Sequence, residues 1–110
     1  MGDRANLIIK QSEGLPPVVV YSHWGGHRLT GGATEKALMV ARGRTGDANY
    51  FTAILIEQLF KEDLVSGIGT TLDDNEHPIV VVNTMTGERE EDMTEQAARE
   101  YLKQFRLVSA

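Results

Sequence analysis

Two short runs near the N-terminus, Ala5 to Lys10 (ANLIIK) and Pro17 to Ser22 (PVVVYS), constrain what this chain can fold into more than any other feature. Consecutive Val and Ile residues are stiff at χ1 and pack well on a pleated surface, so both runs read as strands. The Ser12-Glu13-Gly14-Leu15-Pro16 stretch between them carries turn chemistry, which predicts an opening antiparallel hairpin. The second run leads straight into His23-Trp24-Gly25-Gly26-His27-Arg28-Leu29-Thr30-Gly31-Gly32. Four glycines in ten residues permit backbone shapes and close approaches denied to other residues, and the segment reads as a loop leaving the end of a strand.

Helical spacing takes over beyond this loop. Thr34 is a candidate cap for a helix to about Arg42, with Ala37, Leu38 and Ala41 on one face and Gly43 as terminator. Asp47 is a stronger cap, and Phe51, Ile54, Leu55, Leu59 and Phe60 make an amphipathic helix to about Lys61. Gly67 to Leu72 and Pro78 to Asn83 (PIVVVN) read as two more strands, joined through Asp73-Asp74-Asn75-Glu76-His77. The acidic run Glu88 to Asp92 reads as a solvated turn, with a short strand as an option after Met85-Thr86-Gly87-Glu88. Asp92 and Glu95 make a capping box for a last helix whose buried stripe is Ala98, Tyr101, Leu102 and Phe105. These elements predict an α+β fold: an antiparallel sheet of four to five strands with two to three helices on one face. At 110 residues with no break in composition, the chain reads as a single α+β domain over residues 1–110.

Composition narrows the function classes. The chain has no cysteine, which removes disulfides, thiolate metal sites and cysteine nucleophiles together. Sixteen acids against eleven bases give a net charge of −5, a surface that repels phosphate backbones, so duplex nucleic acid is not an expected partner. The apolar run at Pro16 to Tyr21 is far shorter than the roughly 20 residues of a membrane helix, and no basic-then-apolar leader precedes it. The expectation is a cytoplasmic protein that does not engage a membrane.

Three segments carry a resemblance: Gly2-Asp3-Arg4-Ala5-Asn6, Tyr21-Ser22-His23-Trp24-Gly25-Gly26 and Asp74-Asn75-Glu76-His77-Pro78. Together they resemble a family of small uncharacterised proteins of bacteria and their phages that begin with a GDRAN segment and carry a THWGG-like motif. The similarity runs to about Asn83, and Ser22 stands in the threonine place. What it implies is a shared fold and shared special positions, with no reaction attached.

The most specific candidate site is His23-Trp24-Gly25-Gly26. An exposed indole beside open glycine amides suits a ligand whose base stacks while its phosphates meet N–H groups, whereas the plainer reading has Trp24 plugging the core rim. Arg4, Arg28, Arg42 and Arg44 are candidates to converge on an anion, against an internal ion pair from Arg4 to Asp74 or Glu76. His23, His27 and His77 with Asp73, Asp74 and Glu76 include metal-ligand types. The glycines between the first two histidines deprive their spacing of helical meaning, and no metal or other cofactor is expected. Asp73-Asp74-Asn75-Glu76 offers oxygens for ribose hydroxyls or calcium but lacks an EF-hand pattern. The GRTG stretch before the second helix is too short for a phosphate-binding Walker loop.

These readings point first to a protein that binds an anionic, nucleotide-derived small molecule through Arg4, His23, Trp24, Gly25, Gly26, Arg28, Asp74 and Asn75. For a phage protein the use would be sequestering an immune signalling nucleotide, and a homo-oligomer would complete the pocket. The alternatives are a nucleotide or phosphoester hydrolase using His23 with Asp74 or Glu76, and an interaction module that inhibits a partner protein. Enzymatic activity is left open, with binding placed first because no diagnostic catalytic spacing is present.

Overall fold

The ANLIIK run forms strand β1 (Ala5–Lys10), and all of it but Lys10 is buried, the pattern of a central strand covered on both faces. Strand β2 (Val18–Ser22) lies antiparallel beside it, with Ala5 opposite Ser22 and Ile9 opposite Val18. The turn between them places Gly14 at φ +79°, where a side chain would be strained. The computed structural model describes residues 2–105.

Helices α1 (Gly26–Thr30), α2 (Gly32–Ala41) and α3 (Ala48–Lys61) follow, with a 3-10 turn at Arg42–Arg44 between the last two. The chain then adds β3 (Gly67–Gly69), β4 (Val80–Asn83), β5 (Glu88–Arg89) and α4 (Glu95–Lys103). The strand order is β3-β2-β1-β4-β5, antiparallel except where β4 runs parallel to β1. The chain adopts the expected α+β class with five strands, and the sheet, expected to be antiparallel, is so except for the β1–β4 pair. The parallel pair arises because, after β3 stops opposite Val19, the segment 70–79 carries the chain back to the start of β1 before β4 enters.

The helices are not confined to one face. Ala5, Leu7, Ile9, Val20, Val80 and Val82 pack against Leu29, Leu38, Phe51, Leu55 and Leu59 of α1 to α3. Ile8, Val19, Ile79 and Val81 form a second core on the opposite face, closed by Ala98 with Tyr101 and Leu102 of α4. Strands with apolar residues at consecutive positions need cover on both sides, and α4 supplies the second layer.

Several local expectations are corrected in the same way. The glycine-rich segment is not all loop, because α1 begins at Gly26. Thr34 lies inside α2, buried, with its hydroxyl donating to the Leu29 carbonyl at 2.8 Å, while Gly31 occupies the cap position. Asp47 does cap α3, accepting from the Tyr50 amide at 3.3 Å. Phe60 falls off the buried stripe of Phe51, Leu55 and Leu59 and is 56% exposed. Thr94, not Asp92, caps α4 by accepting from the Ala97 amide, and Asp92 pairs with Arg89. The run Glu88 to Asp92 is therefore no simple solvated turn: it contains β5, and Glu90 accepts from Lys10 Nζ at 2.7 Å and from Asn83. The third strand is shorter than expected, ending at Gly69. Among the described residues, no helix is long and apolar enough to cross a membrane.

Candidate functional site

The segment before β1, the turn after β2 and the loop before β4 meet at one end of the sheet. Asp3 clamps the first two: its amide donates to the His23 carbonyl at 2.8 Å and its carbonyl accepts from the Gly26 amide at 2.7 Å. Asn6, at 0% exposure, ties in the loop. Its Nδ2 is shared among the Asp73 carbonyl, the Asp74 carbonyl and Asn75 Oδ1 at 3.2–3.3 Å, and its Oδ1 accepts from the Asp73 amide at 3.1 Å. Arg4 and Glu76 complete the seam: the Glu76 amide donates to the Arg4 carbonyl at 2.9 Å, and Glu76 Oε1 accepts from the Arg4 amide at 2.9 Å and from Arg4 Nε at 3.2 Å.

The two glycines of the turn are there for close packing. A Cβ on Gly25 would lie 2.1 Å from Leu64 Cδ2, and one on Gly26 would lie 2.6 Å from both the Asp3 carbonyl and the His77 ring. Their amides are committed as well, Gly25 N–H to Ser22 Oγ and Gly26 N–H to Asp3. The expected open amides for an anion are therefore already used inside the protein.

Beside this turn, Trp24 is 64% exposed. His23 meets the indole edge-on at 4.5 Å between ring centroids, and Tyr21 Oη lies 2.7 Å from His23 Nδ1. The His23 amide donates to Ser66 Oγ at 2.9 Å. Trp24 is thus a braced exposed aromatic surface rather than a plug in the core.

No family model, curated protein or solved structure matches this chain.

Asp3 is the centre of the site's chemistry. Its Oδ2 accepts from His27 Nδ1 at 2.6 Å and from the His27 amide at 2.9 Å, while Oδ1 faces His77 Nε2 at 2.5 Å. A carboxylate can only accept here, so the ring protons sit on His27 Nδ1 and His77 Nε2. The hydrogen bond from His77 does most to hold the Asp3 carboxyl well below the usual carboxylate range, followed by those from the His27 amide and ring. Glu76 is also lowered, by the Arg4 amide first and its guanidinium second. Burial pushes the Tyr21 hydroxyl up, with the Asp73 charge adding to it.

A depressed native pKa contributes stability that is present above the unfolded value, about 3.9 for aspartate, and that fades as pH falls toward the native value. Asp3→Asn should therefore be less stable than the parent at pH 7, with the difference constant above about pH 5 and narrowing below about pH 4. Urea midpoints across pH 3–7 check this. A gap that stays constant would show that the Asp3 charge is not what holds the histidines.

The expected site residues separate into two groups. Arg4, His23, Trp24, Gly25, Gly26, Asp74 and Asn75 all lie at this seam, with Arg4 Nη1 donating to Asp74 Oδ2 at 3.1 Å. Arg28 turns away to the Glu62 carbonyl and carboxylate, both at 3.0 Å. Arg42 pairs with Glu35 and Glu88, and Arg44 stacks on Tyr50 at 4.2 Å. The arginines do not converge, because each has a nearer acid or ring. Nor does His23 pair with Asp74 or Glu76; the carboxylate–imidazole contacts belong to Asp3.

Among the described residues, no group of three or more His, Asp or Glu side chains is arranged to hold a metal ion. Two cavities lie elsewhere. One of about 420 Å³ is bordered by Pro17, Leu72, Leu102 and Phe105, and a more open one lies between Leu15 and Asp47. Both are at the Pro17 end of β2, opposite the end that carries Trp24.

Asp3 and Asn6 are the members of the site that sequence reasoning did not single out. Asn6 had a signal, a polar side chain inside an otherwise apolar strand, which is retained only where hydrogen bonds satisfy it.

Proposed function

We propose that this chain binds a small, nucleotide-derived molecule at the Trp24 face. The observation that carries the reading is Trp24 itself: a large aromatic left exposed, with the His23 ring edge-on against it, Tyr21 Oη bracing His23, and the turn around it tied to Asp3 and Ser66. A flat indole of this kind stacks bases at about 1–3 kcal/mol each. For a phage-encoded chain, one of the two sources in the family its motifs resemble, holding an immune signalling nucleotide in the cytoplasm is the use that fits. Binding ranks ahead of hydrolysis because Asp74 and Glu76 pair with Arg4 and not with His23, whose Nδ1 faces the Tyr21 hydroxyl and no orienting carboxylate.

Trp24→Ala is expected to weaken binding by roughly ten- to a hundredfold, the equivalent of losing one stacked base. Its melting temperature should stay near that of the parent, because the indole is mostly in solvent. Calorimetric titration of both proteins with ligands that raise the parent's melting temperature checks this. A panel of mononucleotides and cyclic dinucleotides that leaves the melting temperature unmoved would overturn the reading.

A further inference from the structure

We infer that the cavity between the start of β2 and the end of α4 is a second binding site, which takes a small carboxylate with an apolar body. It lies at the opposite end of β2 from Trp24 and does not depend on the reading above.

The cavity follows from where the strands stop. Pro16 and Pro17 have no amide to donate to a ladder, so β2 begins at Val18, and β3 ends at Gly69 opposite Val19. The end of α4 comes down beside these unpaired residues, and a space of about 420 Å³ remains, bordered by Pro16, Pro17, Leu72, Leu102 and Phe105. That volume falls within the roughly 300–1,000 Å³ of small-molecule sites. Leu72 and Leu102 also pack on the second core, and the Phe105 ring stands edge-on to Tyr101 at 5.3 Å between centroids, so the apolar walls are held from behind.

The rim favours an anion. Arg99 and Lys103, one turn apart on the side of α4 that carries Leu102, border the cavity, and no acid is among the described residues that line it. In a chain with 16 acids and 11 bases, that placement is uneven. Arg99 pairs with Glu95 and Lys103 with Glu100, each at 3.1 Å, but these are exposed pairs within one helix, of the kind that contribute little, and neither glutamate borders the cavity. Arg99 Nη1 has no partner among the described residues. An apolar body leaves water for the walls, while its carboxylate stays at the mouth, paired with the two cations and still hydrated.

The test is an NMR titration of the full chain at low salt with octanoate, octanol and octylammonium, which share one apolar body and differ in charge. Octanoate is expected to shift the signals of Leu72, Leu102 and Phe105 and to leave the indole N–H of Trp24, the one tryptophan, where it was. Octanol should bind about fivefold more weakly, the gain of an exposed ion pair, and octylammonium more weakly still. Arg99→Gln and Lys103→Gln, made together at exposed positions, should bring octanoate down to the affinity of octanol. Thr71→Trp, also at an exposed position on the border, should abolish binding by filling the space. Octanol or octylammonium binding as tightly as octanoate, shifts at Trp24 in place of the cavity, or a double variant with parent affinity overturns the inference. So does failure of all three probes to bind, which is the result if another part of the chain or a second copy covers the cavity.

Discussion

Asn6→Ala is expected to lower the unfolding free energy by about 3 kcal/mol, since it removes a buried side chain that satisfies one amide and shares its own amide among three acceptors. The substitution leaves a cavity between β1 and the 73–77 loop and strips the loop of its main anchor. At about 4 °C per kcal/mol for a domain of this size, the melting temperature should fall by roughly 12 °C. Asn6→Asp is a sharper version, because it points a carboxylate at the carbonyls of Asp73 and Asp74. Thermal and urea unfolding of both variants provide the check. Parent-like stability for either would mean that the loop is held by Arg4 and Glu76 alone.

Gly26→Ala should cost about 2–3 kcal/mol by overpacking. Its Cβ would meet a backbone carbonyl, Asp3 O, and the partly buried His77 ring, neither of which is the free end of a flexible chain. Relief requires Asp3 to move, which breaks the Gly26 to Asp3 hydrogen bond and disturbs both histidines. Gly32→Ala is the internal control. It lies in α2 with no atom within 4 Å of the added Cβ, so alanine there should be neutral or stabilising by up to about 1 kcal/mol. Equal melting temperatures for the Gly26 and Gly32 variants would show that close approach is not what Gly26 provides.

The contrast between these two glycines illustrates how far the sequence could be read. Both stand in the same glycine-rich stretch, and no local rule separates them. What separates them is Asp3 and His77, one more than twenty residues upstream and the other about fifty downstream, which fold against Gly26 and not against Gly32. The arginines tell the same story. Four guanidiniums invited an anion site, but each found an acid or ring that the fold placed closer than any common point. Trp24 was legible because a lone tryptophan beside two glycines is uncommon, and its exposure is a fact of the fold.

By itself the sequence determined what depends on neighbours along the chain. This covers the extended runs of β1, β2 and β4, the Asp47 cap and amphipathic stripe of α3, the α+β class, and the three segments whose residue types looked specialised. Those follow from backbone sterics, side-chain periodicity and capping, which act over a few residues. Only the tertiary structure decided that β4 enters parallel to β1, that α4 covers the second face, that the glycine amides are consumed internally, and that one carboxylate, Asp3, holds two histidines. Each depends on groups brought together from distant positions, the Arg4 and Glu76 pair being 72 residues apart, and such contacts are set by packing and the pairing of buried polar groups rather than by spacing.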